Sequence, residues 1–544
     1  MTRSRARALG AGLALTVVLF GGLEFSIRLA YWARNARVHS VPLPYVIGHD
    51  YGPVPPWMDG LLILAPDKDL IWRNRPSLKR RYVNIFLPIH TDEERLALFR
   101  RFWPSLPAAL ESGESWDISL NSEGFRDHEA PVHKQSSAFR IVCLGDSWTF
   151  GMNAEQDQTY PRRLSAALQQ QFPGRQFEVL NRGVLGYSSY QGIQLLREKI
   201  MTLDPDVVVI AFAMNDSKVS GHRDKDLAAW EHHLPWKEQV LRLVKKSETY
   251  KLLEYLALVL REHPHPIGFY LKGAADSANN TAIDFEKLDE WTRVGLRDYR
   301  ENIREMIRLA RSRGSHAILL YNELWENGLY LNVLQAISNE DHVPLVDGNA
   351  IVRRERQRIE HELEARLGLE PPPAAATENA LVNVVFRVYA GDTRVPHAIY
   401  PVGPHPGLGD LSPNTVPMYD DGTHGDQQAG DSVWSYTVAL PRGAKVFYVY
   451  TNSGRPRRWE ELDVPYIRQF ELRPEDHRST VYRPIETFGR IYMQADSWHT
   501  NAAGYDLIAK AVLDALRHDD KFQDYVRESH DALSINTSLP EARR

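Results

Sequence analysis

The pattern of apolar and polar positions changes period along the chain. Residues Ala8–Leu23 are almost wholly apolar, and a mixed tail runs on through Phe25, Ile27 and Leu29 to Tyr31 and Trp32. Residues 36–135 show no clear period and are rich in Pro, Trp and charge. From Arg140 a repeating order begins. "RIVCLGDS" reads as a buried strand ending at a turn, "YPRRLSAALQQQF" as a helix and "FEVLNRGVLG" as a strand with its loop. The helix "YQGIQLLREKIMTL" and the valine-rich strand "PDVVVIAFAMND" follow. Then come the helix "LRDYRENIREMIRLARSRG", the strand "HAILLY", the helix "LYLNVLQAISNE" and the short strand "VPLVDG". Strands that are apolar throughout, alternating with helices, predict a parallel sheet covered on both faces.

Two segments interrupt that order. Residues 217–291 form a long, mostly helical insertion. After the linker-like "GLEPPPAAATEN" the period drops to two: "VNVVFRVYA", "VWSYTVAL" and "KVFYVYT" alternate between turn-rich pieces. Trp434, Tyr436, Val438 and Leu440 fall on one strand face, and Val446, Tyr448 and Tyr450 on another. This predicts a small antiparallel β-sandwich whose aromatics are mostly core. The α/β pattern resumes with "ADSWHTNAAGYDLIAKAVLDALRH", where Leu507, Ile508, Val512, Leu513 and Leu516 form a helical stripe. The expected division is 1–35 as tip and anchor, 36–135 as a lead-in that packs on the main domain and 136–370 as the first part of the α/β domain. The sandwich takes 371–470, the rest of the α/β domain 471–525, and a polar tail 526–544.

The first segment carries a topological expectation. Arg3, Arg5 and Arg7 precede the apolar stretch. A spanning helix needs about 20 residues, which the run reaches if Arg28 snorkels outward and Tyr31 and Trp32 lie at the interface. The positive-inside rule then places the arginines in the cytoplasm and the remaining chain outside, in the periplasm or beyond. A cleaved signal peptide is the rival reading, but no small-residue cleavage site follows the run.

Composition narrows the classes. With 43% hydrophobic and 25% charged residues the chain is globular, and at 544 residues it exceeds a single core. A net charge of −5 and the absence of a basic stripe give no support to a nucleic-acid partner. Cys143 is the only cysteine, so an intramolecular disulfide and a cysteine zinc cage are excluded. It lies inside an apolar strand and reads as core.

Four separated pieces carry candidate chemistry. In "CLGDSWTFG", Ser147 stands just past the carboxyl end of a buried parallel strand, where open α/β sheets build their sites. A serine nucleophile needs a base, an orienting acid and oxyanion donors. "DSWHTNAAG" places Asp496 and His499 in one short loop. "NRGVLG" offers the backbone N–H of Gly186, with Gly183 as the other candidate, and "AMND" offers the amide of Asn215. Asp146 and Asp216 read as structural, and Asp347 as a turn residue.

Gly145-Asp146-Ser147, Gly186, Asn215-Asp216 and Asp496-x-x-His499, in this order, resemble the SGNH (GDSL-type) hydrolase superfamily over roughly 140–350 and 480–520. "LNSEGFRD" further resembles a segment found upstream of that block in many membrane-anchored bacterial members. The resemblance implies a three-layer α/β/α fold and ester hydrolysis through an acyl-enzyme. Ser147 would attack and Gly186, Asn215 and the Ser147 N–H would form the oxyanion hole. His499 would be base then acid, and Asp496 would orient it. One departure is Ala213, where the family usually has glycine. The expected enzyme is a serine esterase acting on acylated small molecules or glycans, without a required cofactor. O-acyl transfer by the same residues and a catalytically inactive envelope-binding protein are the alternatives. The inserted module resembles Ig-like or carbohydrate-binding-like modules. In its "YDDGTHGDQQAGDSVWSY", Asp420, Asp421, Asp426 and Asp431 crowd into one loop. They are a candidate calcium site, although such Asp-Gly turns form without metal.

Overall fold

The computed structural model describes residues 3–38, 40–42, 56–83, 115–129, 134–152, 154–218, 220, 223–262, 292–322, 328–368, 375–391, 395, 397–452, 468–475, 477–488 and 499–527. The chain opens with one long helix, α1 (Arg3–Asn35). It contains the one stretch, among the described residues, long and apolar enough to cross a membrane, Ala14–Asn35. Its side chains are exposed from Ala14 to Leu23 and turn half-buried at Glu24.

The lead-in, read from sequence as aperiodic, contains short strands. These are β1 (Ser40–Pro42), the hairpin β2 (Leu64–Asp67) and β3 (Ile71–Asn74), β4 (Lys79–Val83) and β5 (Ser115–Ser119). β1 pairs β4 in parallel and β4 pairs β5 antiparallel. Strands of three to five residues are too short for period two to stand out in a charged segment.

The α/β unit follows: β6 (Ala138–Gly145), α2 (Ser147–Phe150), α3 (Tyr160–Gln171), β7 (Gln176–Gly183), α4 (Ser189–Glu198) and β8 (Val207–Ala211). Next come the inserted helices α5 (Asp224–His232), α6 (Trp236–Lys245) and α7 (Glu248–Glu262). Then the order resumes with α8 (Leu296–Ser312), β9 (His316–Tyr321), α9 (Leu329–Asp341), β10 (Leu345–Asp347) and α10 (Gly348–Leu367). All five strands pair in parallel, in the order β7-β6-β8-β9-β10. In order of sequence this is 2-1-3-4-5, so the direction of winding reverses between β6 and β8.

Alternation along the strands divides the core in two. Val142 and Leu144 of β6 join Val208 and Ile210 of β8 beneath α4, α8 and α9. Ile141, Cys143, Val207 and Val209 face the other way, onto α3 and the final helix, α11 (Ala502–Arg517). Both faces are apolar because both are covered.

The inserted module consists of β11 (Leu381–Tyr389), β12 (Tyr400–Val402), β13 (Val433–Pro441), β14 (Lys445–Thr451), β15 (Arg468–Glu471) and β16 (Thr480–Thr487). They form two three-stranded sheets, β13-β11-β16 and β12-β14-β15, around one core. Val438, Leu440, Val446, Tyr448 and Tyr450 are buried in it, with Trp434 and Tyr436 packed at its margin. As expected, the strands from β11 to β15 pair antiparallel, and β16 joins β11 in parallel from beyond them. The module's strands thus continue past residue 470, to Thr487. "STVYRPIET" hides this: Pro484 and Arg483 break the alternation, and the register shifts at that point.

Candidate active site

Ser147 is placed by a turn that only glycine permits. β6 ends at Gly145, where a Cβ would stand 2.2 Å from Thr149 Oγ1 and 2.7 Å from the Ala211 carbonyl oxygen. The chain therefore turns at once into α2, with Ser147 as its first residue and buried. Asp146 caps this helix, accepting the Trp148 N–H at 2.9 Å on Oδ1. The same Oδ1 accepts Asn322 Nδ2 at 2.9 Å, and Oδ2 accepts Asn215 Nδ2 at 3.0 Å. Asp146 thus joins the ends of β6, β8 and β9. Burial pushes its carboxyl up to about 6, against the pull of the Trp148 N–H, His499 and the two amides.

Asn215 is buried just after β8, with one amide N–H held by Asp146. A primary amide has a second, for which no acceptor stands among the described residues. Its neighbour Asp216 caps α4 instead, accepting the Ser189 N–H at 2.9 and 3.1 Å. Burial pushes that carboxyl up to about 8.

The loop after β7 separates the two candidate glycines. Gly183 spends its N–H on Asn181 Oδ1, 2.9 Å away. It also packs so closely that a Cβ would lie 2.1 Å from Phe150 N. Gly186 has φ +75°, a conformation that L side chains rarely adopt. Its peptide is held by side chains remote in sequence. Arg293 Nη1 donates to the Gly186 carbonyl at 2.7 Å, and the Trp72 indole N–H donates to the Leu185 carbonyl at 2.9 Å. Arg293 in turn is gripped by Asp224, at 3.0 and 2.7 Å, and lies over the Trp72 ring.

His499 closes the arrangement. Its Nε2 lies 2.7 Å from Ser147 Oγ, although 352 positions separate them, and it is buried. Two residues on, Asn501 caps α11 by accepting the Ala503 and Gly504 N–H groups. The imidazole is thus fixed by the entry to a helix packed on the main core. Asp496, expected to orient it, lies outside the described residues.

Residues 143–398 match the model of the GDSL-like lipase/acylhydrolase family. The chain carries a GDSL-like acylhydrolase domain. The match opens on β6 and ends inside the inserted module, so His499 lies beyond it. Among solved structures, the chain is similar to a catalytic mutant of Axe2, an acetylxylan esterase from Geobacillus stearothermophilus. The identity is 14%, over 39% of this chain and 77% of that one, with a TM-score of 0.24. It is also similar to LAE5, an alpha/beta hydrolase enzyme from the metagenome of Lake Arreo, Spain, at 16% identity over 40% and 81% of the two chains, with a TM-score of 0.25. No curated protein matches the chain significantly.

Several residues that build the site were not singled out from sequence. Arg126, in "LNSEGFRD", is buried and donates to the carbonyls of Gly151, Ala154 and Asp117 at 2.5, 2.6 and 2.8 Å. It clamps the loop that follows α2. Asp127 accepts the Asn181 N–H of β7 at 2.9 Å. Trp72, Arg293 and Asn322 carry no local motif, and only their contacts reveal them. Asp347 caps α10 by accepting the Ala350 N–H, as a turn residue should.

The acidic loop is partly as expected. Asp420, Asp426 and Asp431 bring oxygens within 4.8 Å of one another, whereas Asp421 turns away to Thr423. Each of the three also accepts backbone N–H groups: Asp420 from Gly430, Asp426 from Gly422 and Asp431 from Val433. Burial raises the Asp420 and Asp431 carboxyls, with Asp426 adding like charge. Hard oxygens of this kind suit calcium, yet the same bonds fix the hairpin end without it.

Proposed function

We propose that the chain is a membrane-anchored serine esterase. It removes O-acetyl or other O-acyl groups from a carbohydrate or cell-envelope substrate outside the cytoplasm, through an acyl-enzyme. The single observation that carries the chemistry is the 2.7 Å contact between Ser147 Oγ and His499 Nε2. The site's place at the reversal of strand order and the GDSL-like family match support it. The apolar α1 and the inserted module support the location and the bulk of the substrate.

The steps follow from the geometry. His499 Nε2 accepts the Ser147 proton as Oγ attacks the ester carbonyl. The resulting oxyanion takes the N–H groups of Ser147 and Gly186 and the second N–H of Asn215. Collapse expels the alcohol, which receives its proton from His499. Water, deprotonated by His499, then cleaves the acyl-enzyme and restores Ser147. Asp496 holds the other face of the imidazole in this reading.

A fluorophosphonate probe tests it. The purified chain should be labelled at Ser147. Labelling should vanish in Ser147→Ala and fall by at least a hundredfold in His499→Ala, with release of p-nitrophenol from p-nitrophenyl acetate falling in parallel. Labelling that persists in Ser147→Ala rejects the mechanism. Product analysis with an acyl donor and a sugar acceptor separates hydrolysis from acyl transfer.

A further inference from the structure

Helix α6 is amphipathic, and the protein leaves its apolar face uncovered. Trp236, Val240, Leu243 and Val244 recur on one face at helical spacing. All four are exposed, Trp236 and Leu243 by 70% and 64%. The opposite face bears Glu238, Arg242 and Lys245. Glu238 is half-buried. Arg242 pairs with Glu231 of α5 and Lys245 with Glu254 of α7, although these two side chains remain 43% and 47% exposed. No residue of α6 is buried. A helix folded for water alone would bury the stripe and expose the charges. An apolar patch left outward in this way marks a surface made for a partner.

Its attachment identifies the partner. α6 ends against α1, where Arg28 donates to the Lys246 carbonyl at 2.9 Å. Glu24 accepts Ser247 Oγ at 2.8 Å, the Glu248 N–H at 2.8 Å, and the Thr249 N–H and Oγ1 at 2.9 Å each. One carboxylate of α1 therefore caps the start of α7 and fastens the end of α6 to the apolar helix. From Ala14 to Leu23 α1 is apolar and exposed; from Glu24 onward one side of it, at Glu24, Ile27, Tyr31 and Asn35, is half-buried while Phe25, Leu29 and Trp32 stay exposed. A helix that needs lipid and an outward apolar stripe meet at one junction.

Resting on the reading of α1 as a membrane anchor, we propose that α6 lies in the lipid–water interface with its stripe toward the acyl chains. Glu24 marks the level at which α1 leaves the bilayer. Residues 8–23 then rise about 24 Å, slightly less than the ~30 Å hydrocarbon core, and Arg3, Arg5 and Arg7 reach the far interface. Lys237 and Lys246 extend to anionic headgroups, as on other interfacial helices. The hydrolase domain is thereby held at a set height and tilt instead of swinging on one helix.

Depth-dependent quenching tests this on the full chain in vesicles of phosphatidylethanolamine and phosphatidylglycerol. Cys143 is buried and burial pushes its thiol up to about 12, so it stays unlabelled. A polarity-sensitive fluorophore is attached in turn to Leu15→Cys, Trp236→Cys, Leu243→Cys and Asp514→Cys, and turnover of p-nitrophenyl acetate confirms that each variant is folded. Positions 236 and 243 should be quenched more by nitroxide near the headgroup than by nitroxide deep in the chain, at least twofold. Position 15 should show the reverse, and position 514 neither. If position 15 is quenched while 236 and 243 behave like 514, the anchor stands and the interfacial helix is rejected. If position 15 is not quenched, the anchor reading fails and takes the proposal with it. Cross-linking of two copies through position 243 without lipid quenching assigns the stripe to a second copy, and also rejects it.

Discussion

Asp146, beside the proposed nucleophile Ser147, ties three strand ends together. From sequence it reads as structural, and it does bond the Trp148 backbone, but it also fixes the amides of Asn215 and Asn322. Its folded value of about 6 lies above the ordinary 3.8, so the native state holds its proton more tightly than the unfolded chain. The associated stability is therefore complete below pH ~4 and lost as pH rises to about 6, and the ionised carboxylate costs on the order of 3 kcal/mol at neutral pH. Asp146→Asn should flatten this part of the pH–stability curve, read as the urea midpoint at intervals from pH 4 to 8. It should also lower kcat. Asparagine offers one oxygen where two are used, so an NH2 group would confront the Asn215 amide and turn it from the oxyanion position. Losing one such donor is worth roughly 10²–10³ in kcat. A variant that keeps full turnover would show that Asn215 does not depend on Asp146.

Among elements, the loop after β7 shows how far local sequence reaches. Its glycines are visible as "NRGVLG", and the strand before it is legible from the apolar Phe177, Val179 and Leu180. The peptide at Gly186, however, is oriented by Arg293 from beyond the helical insertion and by the Trp72 hairpin, neither with any local signature. The same contrast holds for His499. Its loop and the stripe of α11 are readable, whereas its approach to Ser147 follows from packing α11 against α3 on one face of the sheet. Periodicity reports which face an element buries; it carries no record of a buried cation reaching across elements. Arg293→Lys exposes this dependence. A single ammonium cannot reproduce a fork that serves Asp224 and the Gly186 carbonyl together. Steady-state kinetics on p-nitrophenyl acetate should show kcat reduced about tenfold with KM nearly unchanged, about the worth of one charged hydrogen bond. An increase in KM alone would place Arg293 in substrate binding instead.

On the scale of the whole molecule, the inserted module interrupts the hydrolase domain between Ser147 and His499, and its docking bears on how the two meet. The chain leaves the central sheet along α10 and comes back along β16, which lies against that helix in the opposite sense. Glu364 accepts the Ile485 N–H at 2.5 Å and Arg387 at 2.7 Å. Nearer the start of α10, Glu360 accepts the Thr487 N–H at 2.9 Å, and Arg356 donates to the Thr487 carbonyl at 2.6 Å. Increasing residue number in β16 therefore runs toward the end of the helix nearest the site, and Thr487 stands twelve positions before His499. A module that only gripped a glycan would not need so polar and buried a seam. One that also delivers the histidine would. Replacing both Glu360 and Glu364 by alanine leaves the N–H groups of Ile485 and Thr487 without these acceptors, at about 1–3 kcal/mol each. The small ester p-nitrophenyl acetate cannot reach a distant glycan subsite, so it isolates the effect on the histidine. Its kcat should fall at least tenfold in the double variant, with the rate of fluorophosphonate labelling falling equally, because both require His499 at Ser147. Unchanged turnover of the small ester, with loss confined to an acetylated polysaccharide, would instead make the module a substrate-binding attachment that plays no part in placing the base.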